Sequence, residues 1–94
     1  MSFPGGESQL YDFIIATRCY PREAYEKGIE GRVICTFIIN TDGTIEHINV
    51  IRSVEESLDR EAVRIIKEMP RWNAGMLDGR PVPVKYVLAI PFRQ

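Results

Sequence analysis

Apolar positions recur at helical spacing in two parts of the chain, and a proline and a glycine mark a further short helix. A short helix over about residues 7–18 is predicted by one such stripe: Leu10, Phe13, Ile14 and Thr17. Pro21 suits the first position of a second short helix, and Gly28 suits its end. The strongest stripe predicts a third helix over 57–69, ended by Pro70, with the apolar residues Leu58, Ala62, Ile65, Ile66 and Met69.

Strands are predicted where β-branched residues alternate. Residues 31–40 are apolar on both faces, which is typical of a central strand. Asn40 to Gly43 predicts a hairpin turn into a second strand over about 44–52. The apolar positions of that strand change parity, so we expect a β-bulge near His47. A third strand is predicted over 82–92, after an ordered loop over 71–80.

The order α-α-β-β-α-β restricts the topology of the fold. The first two strands pair through the turn, and a right-handed crossover returns the last strand to the other side of the first. The sequence therefore predicts an α+β fold, a three-stranded antiparallel sheet of order 2-1-3 with helices packed on it. Residues 1–94 are expected to form a single domain, and the last strand keeps one open edge.

Charge and hydropathy exclude several classes of function. The 12 Lys and Arg residues nearly balance 13 Asp and Glu, a net charge of −1, which argues against binding nucleic acid. No apolar run approaches the roughly 20 residues that span a bilayer, and no signal-peptide pattern opens the chain.

The sequence lacks the residue patterns of catalytic and metal sites. His47 is the single histidine, so neither a catalytic triad nor a multi-histidine metal site can be built. The carboxylates around the third helix are expected to solvate it: Glu55, Glu56, Asp59 and Glu61. Trp72, close after Pro70, is expected in the core. We expect no enzyme activity, no metal and no cofactor.

Two cysteines leave one question open. Cys19 and Cys35 are too few and too far apart for a zinc or redox motif. Free buried thiols are favoured. However, Cys35 shares a strand face with Val33 and Phe37, toward the helices, and a disulfide between Cys19 and Cys35 stays possible in an oxidising compartment.

Short motifs along the chain resemble the C-terminal domain of TonB energy transducers. They are Tyr20-Pro21-x-x-Ala24, Gly28-Ile29-x-Gly31-x-Val33, Asp42-Gly43, Leu58-Asp59-x-x-Ala62, Met69-Pro70-x-Trp72-x-x-Gly75, and Tyr86-x-Leu88 with Phe92. The opening Phe3-Pro4-Gly5-Gly6 resembles the variant of Bacteroides-type TonB-like proteins. Asn73-Ala74 and Ala89 stand where the family often has proline, and neither change threatens the fold.

The resemblance implies a periplasmic adaptor of an inner-membrane-anchored protein. Such a protein has an N-terminal membrane helix and a Pro-rich spacer, so this chain is expected to be an excised domain. The folded end docks on the TonB box, an extended peptide of outer-membrane transporters. It transmits energy for nutrient uptake from an inner-membrane proton-driven motor complex, which the missing N-terminal part would contact.

The resemblance also implies where the partner binds. The TonB box adds as a strand to the last strand, for which we expect contacts at Lys85, Tyr86, Val87, Leu88 and Ala89. The segment around Tyr20, Pro21 and Arg22 is expected to touch the transporter too. Alternatives are a cell-wall-binding domain that contacts peptidoglycan, a sensor-associated domain, and a homodimer in which the open edge pairs with itself.

Proline positions sharpen the prediction for the last strand. Pro81, Pro83 and Pro91 all have odd numbers. Prolines are tolerated where a backbone N–H would face an open edge, because they cannot donate to a ladder. Odd residues should therefore face outward, leaving a docking window over about 85–89. A bland alternative is that the prolines only protect a bare edge from aggregation.

Overall fold

The computed structural model describes residues 2–93, so Met1 and Gln94, at the ends of the expected domain, lie outside the described residues. Three helices and five strands form in chain order. They are α1 (Glu7–Thr17), α2 (Arg22–Glu26), β1 (Gly31–Ile39), β2 (Ile45–Arg52), α3 (Glu56–Lys67), β3 (Gly75–Leu77), β4 (Arg80–Val82) and β5 (Val84–Phe92).

The main sheet has the predicted order, with β1 between β2 and β5 and both pairs antiparallel. β1 and β5 pair without interruption, from Gly31 opposite Phe92 to Ile39 opposite Val84. The odd-numbered side chains of β1 are fully buried under the helices: Val33, Cys35, Phe37 and Ile39. On its other face Ile34 and Ile38 are only half-buried. The central position predicted for β1 is confirmed.

β2 pairs with β1 in an irregular register. The register shifts between Thr36 and Ile38, where His47 adopts a φ of 54°, and this confirms the bulge expected there. A second shift leaves Ile51 unpaired between the partners of Ile34 and Cys35. Each extra residue reverses the parity of the strand residues after it, which lets both Ile45 and Ile48 pack against the core.

An aromatic cluster closes one end of the core. Trp72 is buried, as expected, and lies edge-on to Phe3 and Phe37 with ring centroids 5.4 and 5.7 Å away. Its backbone N–H donates to the Gly43 carbonyl at 2.9 Å. A Cβ on Gly43 would lie 2.1 Å from the Trp72 carbonyl oxygen, and Gly43 has a φ of +85°. Glycine is therefore required at this turn.

The region 71–82 corrects the sequence-based prediction. Part of the expected loop forms β3, which pairs with β4 as a small separate hairpin. Pro81 lies in that hairpin opposite Met76, and not on the main sheet, while β5 begins only at Val84. The sequence-based interpretation missed the hairpin because three-residue strands rich in glycine and proline carry no alternation to detect.

Candidate functional site

β5 is an edge strand of the main sheet. Within residues 2–93, no further strand pairs with the side that faces away from β1. The Pro91 carbonyl instead accepts a hydrogen bond from the Arg18 guanidinium, at 2.8 Å. Since the N–H and C=O of one strand residue point the same way, odd-numbered residues of β5 face the open side. This contact agrees with the direction predicted from the prolines.

Three residues therefore present backbone groups along the open side with which nothing in residues 2–93 pairs: Lys85, Val87 and Ala89. The Val87 side chain stands on the uncovered face of the sheet and is 57% exposed. Pro83 precedes this stretch, and Pro91, with its carbonyl taken by Arg18, follows it. The available edge is thus limited to about five residues.

The even-numbered residues of the window are part of the core. Leu88 is 4% exposed, and the Tyr86 ring lies 4.9 Å from Trp72 and 5.6 Å from Phe37 between centroids. Burial, together with the charges of Glu7 and Tyr11, raises the pKa of Tyr86. The Leu88 side chain is therefore closed to an incoming strand, whereas the half-buried Tyr86 also lines a groove beside Glu7 and Leu10.

The Tyr-Pro segment lies at the far end of β5. The Tyr20 hydroxyl donates to the Ile29 carbonyl, and its ring packs edge-on against Phe92 at 5.8 Å. Pro21 directly precedes α2, one residue earlier in the helix than predicted. Arg22 is exposed and pairs with Glu26 at 2.9 Å. The Tyr-Pro segment thus contacts β5 at Phe92, beyond the predicted contacts over 85–89, and the two predicted contact regions do not form one pocket.

An ion pair between the buried Glu61 and the half-exposed Arg64 holds the link between α1 and α2. Glu61 of α3 accepts hydrogen bonds from the Arg64 guanidinium at 2.7 and 2.8 Å and from the Cys19 N–H at 2.6 Å. Arg64 also donates to the Thr17 carbonyl at 2.8 Å. Both contacts flank Arg18, so the ion pair helps to fix the residue that reaches the edge of β5.

Glu61 corrects a sequence-based expectation, since its side chain is 9% exposed and does not solvate the helix. Burial by itself raises the pKa of the Glu61 carboxyl. Hydrogen bonds from Arg64 and the Cys19 N–H, with the charge of Arg64, outweigh burial and hold that pKa below its usual value. Asp59 and Glu55 also have structural roles, because the Asp59 carboxylate accepts the Val54 N–H just before α3 and the Glu55 carboxylate accepts the Ser57 N–H in its first turn.

The outer face of α1 borders the open edge. Tyr11 and Ile15 are 46% and 65% exposed, although they lie on a helix whose inner face is in the core. Together with Arg18 and residues of the β5 edge they line a groove of about 450 Å³. The sequence-based interpretation missed Arg18, because no local pattern links it to Pro91, 73 positions away.

Both cysteines are free in the structure. Cys35 is fully buried in β1, and burial, with the charge of Asp59, raises the pKa of its thiol to about 11. Such a thiol is a poor nucleophile at neutral pH. Cys19 is exposed just before α2, so the expectation that both thiols are buried is wrong for Cys19.

Residues 2–93 also show neither a metal site nor a membrane-spanning helix. In that range no three His, Cys, Asp or Glu side chains cluster as metal ligands. None of the helices found there is long and apolar enough to cross a membrane.

Comparison with known proteins decides the family. Residues 17–93 match the model of the Gram-negative bacterial TonB protein C-terminal family. The chain belongs to the TonB C-terminal domain family. It is 35% identical to protein TonB of Pseudomonas aeruginosa over 79 residues, which is 80% of this chain and 23% of that protein. It is 41% identical to protein TonB of Helicobacter pylori over 49 residues, 51% of this chain and 18% of that protein.

Solved TonB C-terminal domains share the fold. That of P. aeruginosa superposes with a TM-score of 0.66 at 33% identity, covering 82% of this chain and 78% of that one. That of H. pylori gives 0.61 at 28% identity, covering 87% and 88%. The α+β fold and the family expected from the sequence are confirmed. The chain spans about a fifth of the length of these curated relatives.

Proposed function

We propose that this TonB-family domain is a non-enzymatic periplasmic adaptor that captures the TonB box of outer-membrane transporters by strand addition to β5. In this proposal it is the folded end of a longer, inner-membrane-anchored protein. A proton-driven motor complex in that membrane acts on the part that precedes it, and the coupling supports nutrient uptake. Family membership and the kinship to TonB proteins support this role.

The observation that carries the proposal is the open side of β5. A peptide that adds there meets outward N–H and C=O groups at Lys85, Val87 and Ala89 on a strand of regular register. Main-chain hydrogen bonds supply affinity in this mode, and no catalytic group is needed. The prolines and Arg18 restrict the edge to one short segment, which also limits unwanted sheet growth.

A single substitution tests the edge directly. Val87→Pro removes an outward donor and places a ring where the incoming strand would lie, so we expect affinity for a TonB-box peptide to fall by at least about tenfold. Peptides copied from the N-termini of transporters of the same organism serve as ligands, with fluorescence anisotropy as the readout.

Val87→Thr is the matched control, because it keeps the N–H and the β-branched shape and should bind as the unchanged domain does. Circular dichroism establishes that both variants fold. A folded Val87→Pro variant with unchanged affinity would show that the edge is not the docking site. Peptides N-methylated at alternate positions give the same test without altering the domain.

Self-association is the competing use of the same edge. Two β5 strands could pair across a two-fold axis, since the open side is regular in both copies. Light scattering at several concentrations separates the two uses. The adaptor proposal expects a monomer, whereas a dimer that Val87→Pro dissociates would favour self-pairing.

A further inference from the structure

Four arginines gather where the open edge of β5 ends. The groove bordered by α1 is lined by Arg18, Arg32 and Arg93 as well as by Ala89 and Pro91. A second groove of about 480 Å³ on the uncovered sheet face is lined by Arg32 and Arg52. Both grooves include Arg32 and Ala89, so they form one continuous surface, which we name the arginine surface.

The charge of the arginine surface is unlike that of the chain as a whole. The net charge of the protein is −1, yet no carboxylate is among the described residues that line either groove. Apolar side chains separate the arginines: Tyr11, Ile15, Ile34 and Val54. A surface of this kind suits a partner with both acidic and apolar side chains.

One arginine is already fixed in place. Arg18 donates to the Pro91 carbonyl at 2.8 Å, and its guanidinium carbon lies 6.0 Å from the centre of the Tyr20 ring. A guanidinium that is already held by contacts within the domain loses little conformational freedom when it binds an anion. It also stays charged at any physiological pH. Its fork has five N–H donors, of which the Pro91 carbonyl uses one.

The position of the arginine surface relative to the open edge of β5 indicates which partner it binds. Ala89 ends the docking window and belongs to both grooves, so a strand added over 85–89 runs directly onto the arginine surface. We propose that this surface binds acidic side chains of the same extended peptide whose neighbouring residues add to β5. The inference rests on the proposed function, and it adds a chemical requirement on the peptide: carboxylates at the end that lies beside Pro91.

The test compares two peptides and two variants by fluorescence anisotropy. One peptide is a transporter N-terminal segment with acidic residues flanking its strand-forming part, and the other carries Asn and Gln in their place. The double variant Arg32→Glu, Arg93→Glu cancels the net positive charge of the four arginine positions but spares Arg18 and its structural contact. Arg80→Glu is the control, since it makes one such substitution on the exposed hairpin strand β4, beyond the opposite end of the nine-residue β5.

We expect the acidic peptide to bind the unchanged domain about tenfold more tightly than the amide peptide, with a preference that falls as salt rises. The double variant should lose this preference, and Arg80→Glu should keep it. Equal affinity of the two peptides for the unchanged domain, or an equal loss for both in the double variant, would overturn the inference.

The two proposals fail in distinguishable ways. If Val87→Pro abolishes binding but the charge of the peptide has no effect, the peptide adds to the edge of β5 and the arginine surface does not bind its acidic residues. If the charge of the peptide changes its affinity but Val87→Pro does not, the arginine surface binds the acidic residues without strand addition to β5. If neither peptide binds, both proposals are wrong. Binding of soluble anionic peptidoglycan fragments that is lost in the double variant, by a domain that binds neither peptide, would assign the surface to the cell wall instead.

Discussion

The two outer strands of the sheet differ in regularity. β2 meets β1 with two register shifts, one at His47 and one at Ile51, whereas all nine residues of β5 pair with β1 in sequence. Bulges twist an edge away from the plane in which another strand could add, while a regular edge stays open to one. Bulges therefore blunt one edge of the sheet, and the other edge is left open to a partner strand over a limited length.

The protection of each edge fits this difference. Along β2 the bulges themselves remove the template for pairing. Along β5 protection is confined to the ends, at Pro83 and at Pro91 with Arg18, and the middle stays free. A domain that only needed to avoid aggregation would gain from blunting both edges in the same way. The contrast between them favours a docking role for β5.

The largest expected effect is on the β2 side. In Gly43→Ala the new Cβ would lie 2.1 Å from the Trp72 carbonyl oxygen, at a φ of +85°. We expect a loss of about 3 kcal/mol in the free energy of unfolding, from the clash and the backbone strain together. Urea denaturation measures it.

Gly79→Ala provides the matched control for that loss. Gly79 has a φ of +75° in the β3–β4 hairpin, but nothing lies within 4 Å of the added Cβ. Gly79→Ala should therefore lower the free energy of unfolding by only about 1 kcal/mol, from backbone strain alone. Equal losses in the two variants would mean that the close approach of Trp72 to the turn does not hold β2 in place.

A smaller effect is expected on the β5 side. Glu61→Gln removes the charge that pairs with Arg64 and weakens the bond to the Cys19 N–H. We expect a loss of about 2 kcal/mol at pH 7, with looser attachment of the segment that contains Arg18. Glu56→Gln is the control, because that carboxylate is 82% exposed and lies 3.6 Å from Arg60. It should cost well under about 1 kcal/mol.

The Glu61 effect has a defined pH dependence. The pKa of this carboxyl is lower in the folded domain than its ordinary value of 4.5. Its stabilisation is therefore complete above pH 4.5 and is lost as the pH falls through the folded-state pKa. The difference in stability between the unchanged domain and Glu61→Gln should shrink over that acid range. A difference that stays constant from pH 7 to pH 3 would contradict the assignment.

Periodicity predicted most of what forms the two edges. The helical stripes, the alternation of β1 and the parity change at His47 are local signals, and each produced the predicted element within one or two residues. The same parity argument placed the outward direction of β5 from Pro91. Pro81 and Pro83 contributed less than expected, since one lies in the hairpin and the other before the strand.

Contacts between distant residues could not be predicted in this way. Arg18 reaches Pro91, and Glu61 reaches Cys19 across 42 positions, through the packing of helices on the sheet. The sequence around an acidic residue in the first turns of a helix looks the same whether its side chain faces solvent or, as in Glu61, a neighbouring backbone. The arginine surface was missed for the same reason, because its members come from four separate parts of the chain.

The central claim is that a partner strand adds to β5 and not to β2. Amide hydrogen exchange, followed by NMR with and without a saturating TonB-box peptide, tests it residue by residue. We expect the amides of Lys85, Val87 and Ala89 to exchange quickly in the free domain and to slow by about tenfold or more in the complex, while those of β2 do not change. Slowing along β2, or no slowing over 85–89 at saturation, would contradict it.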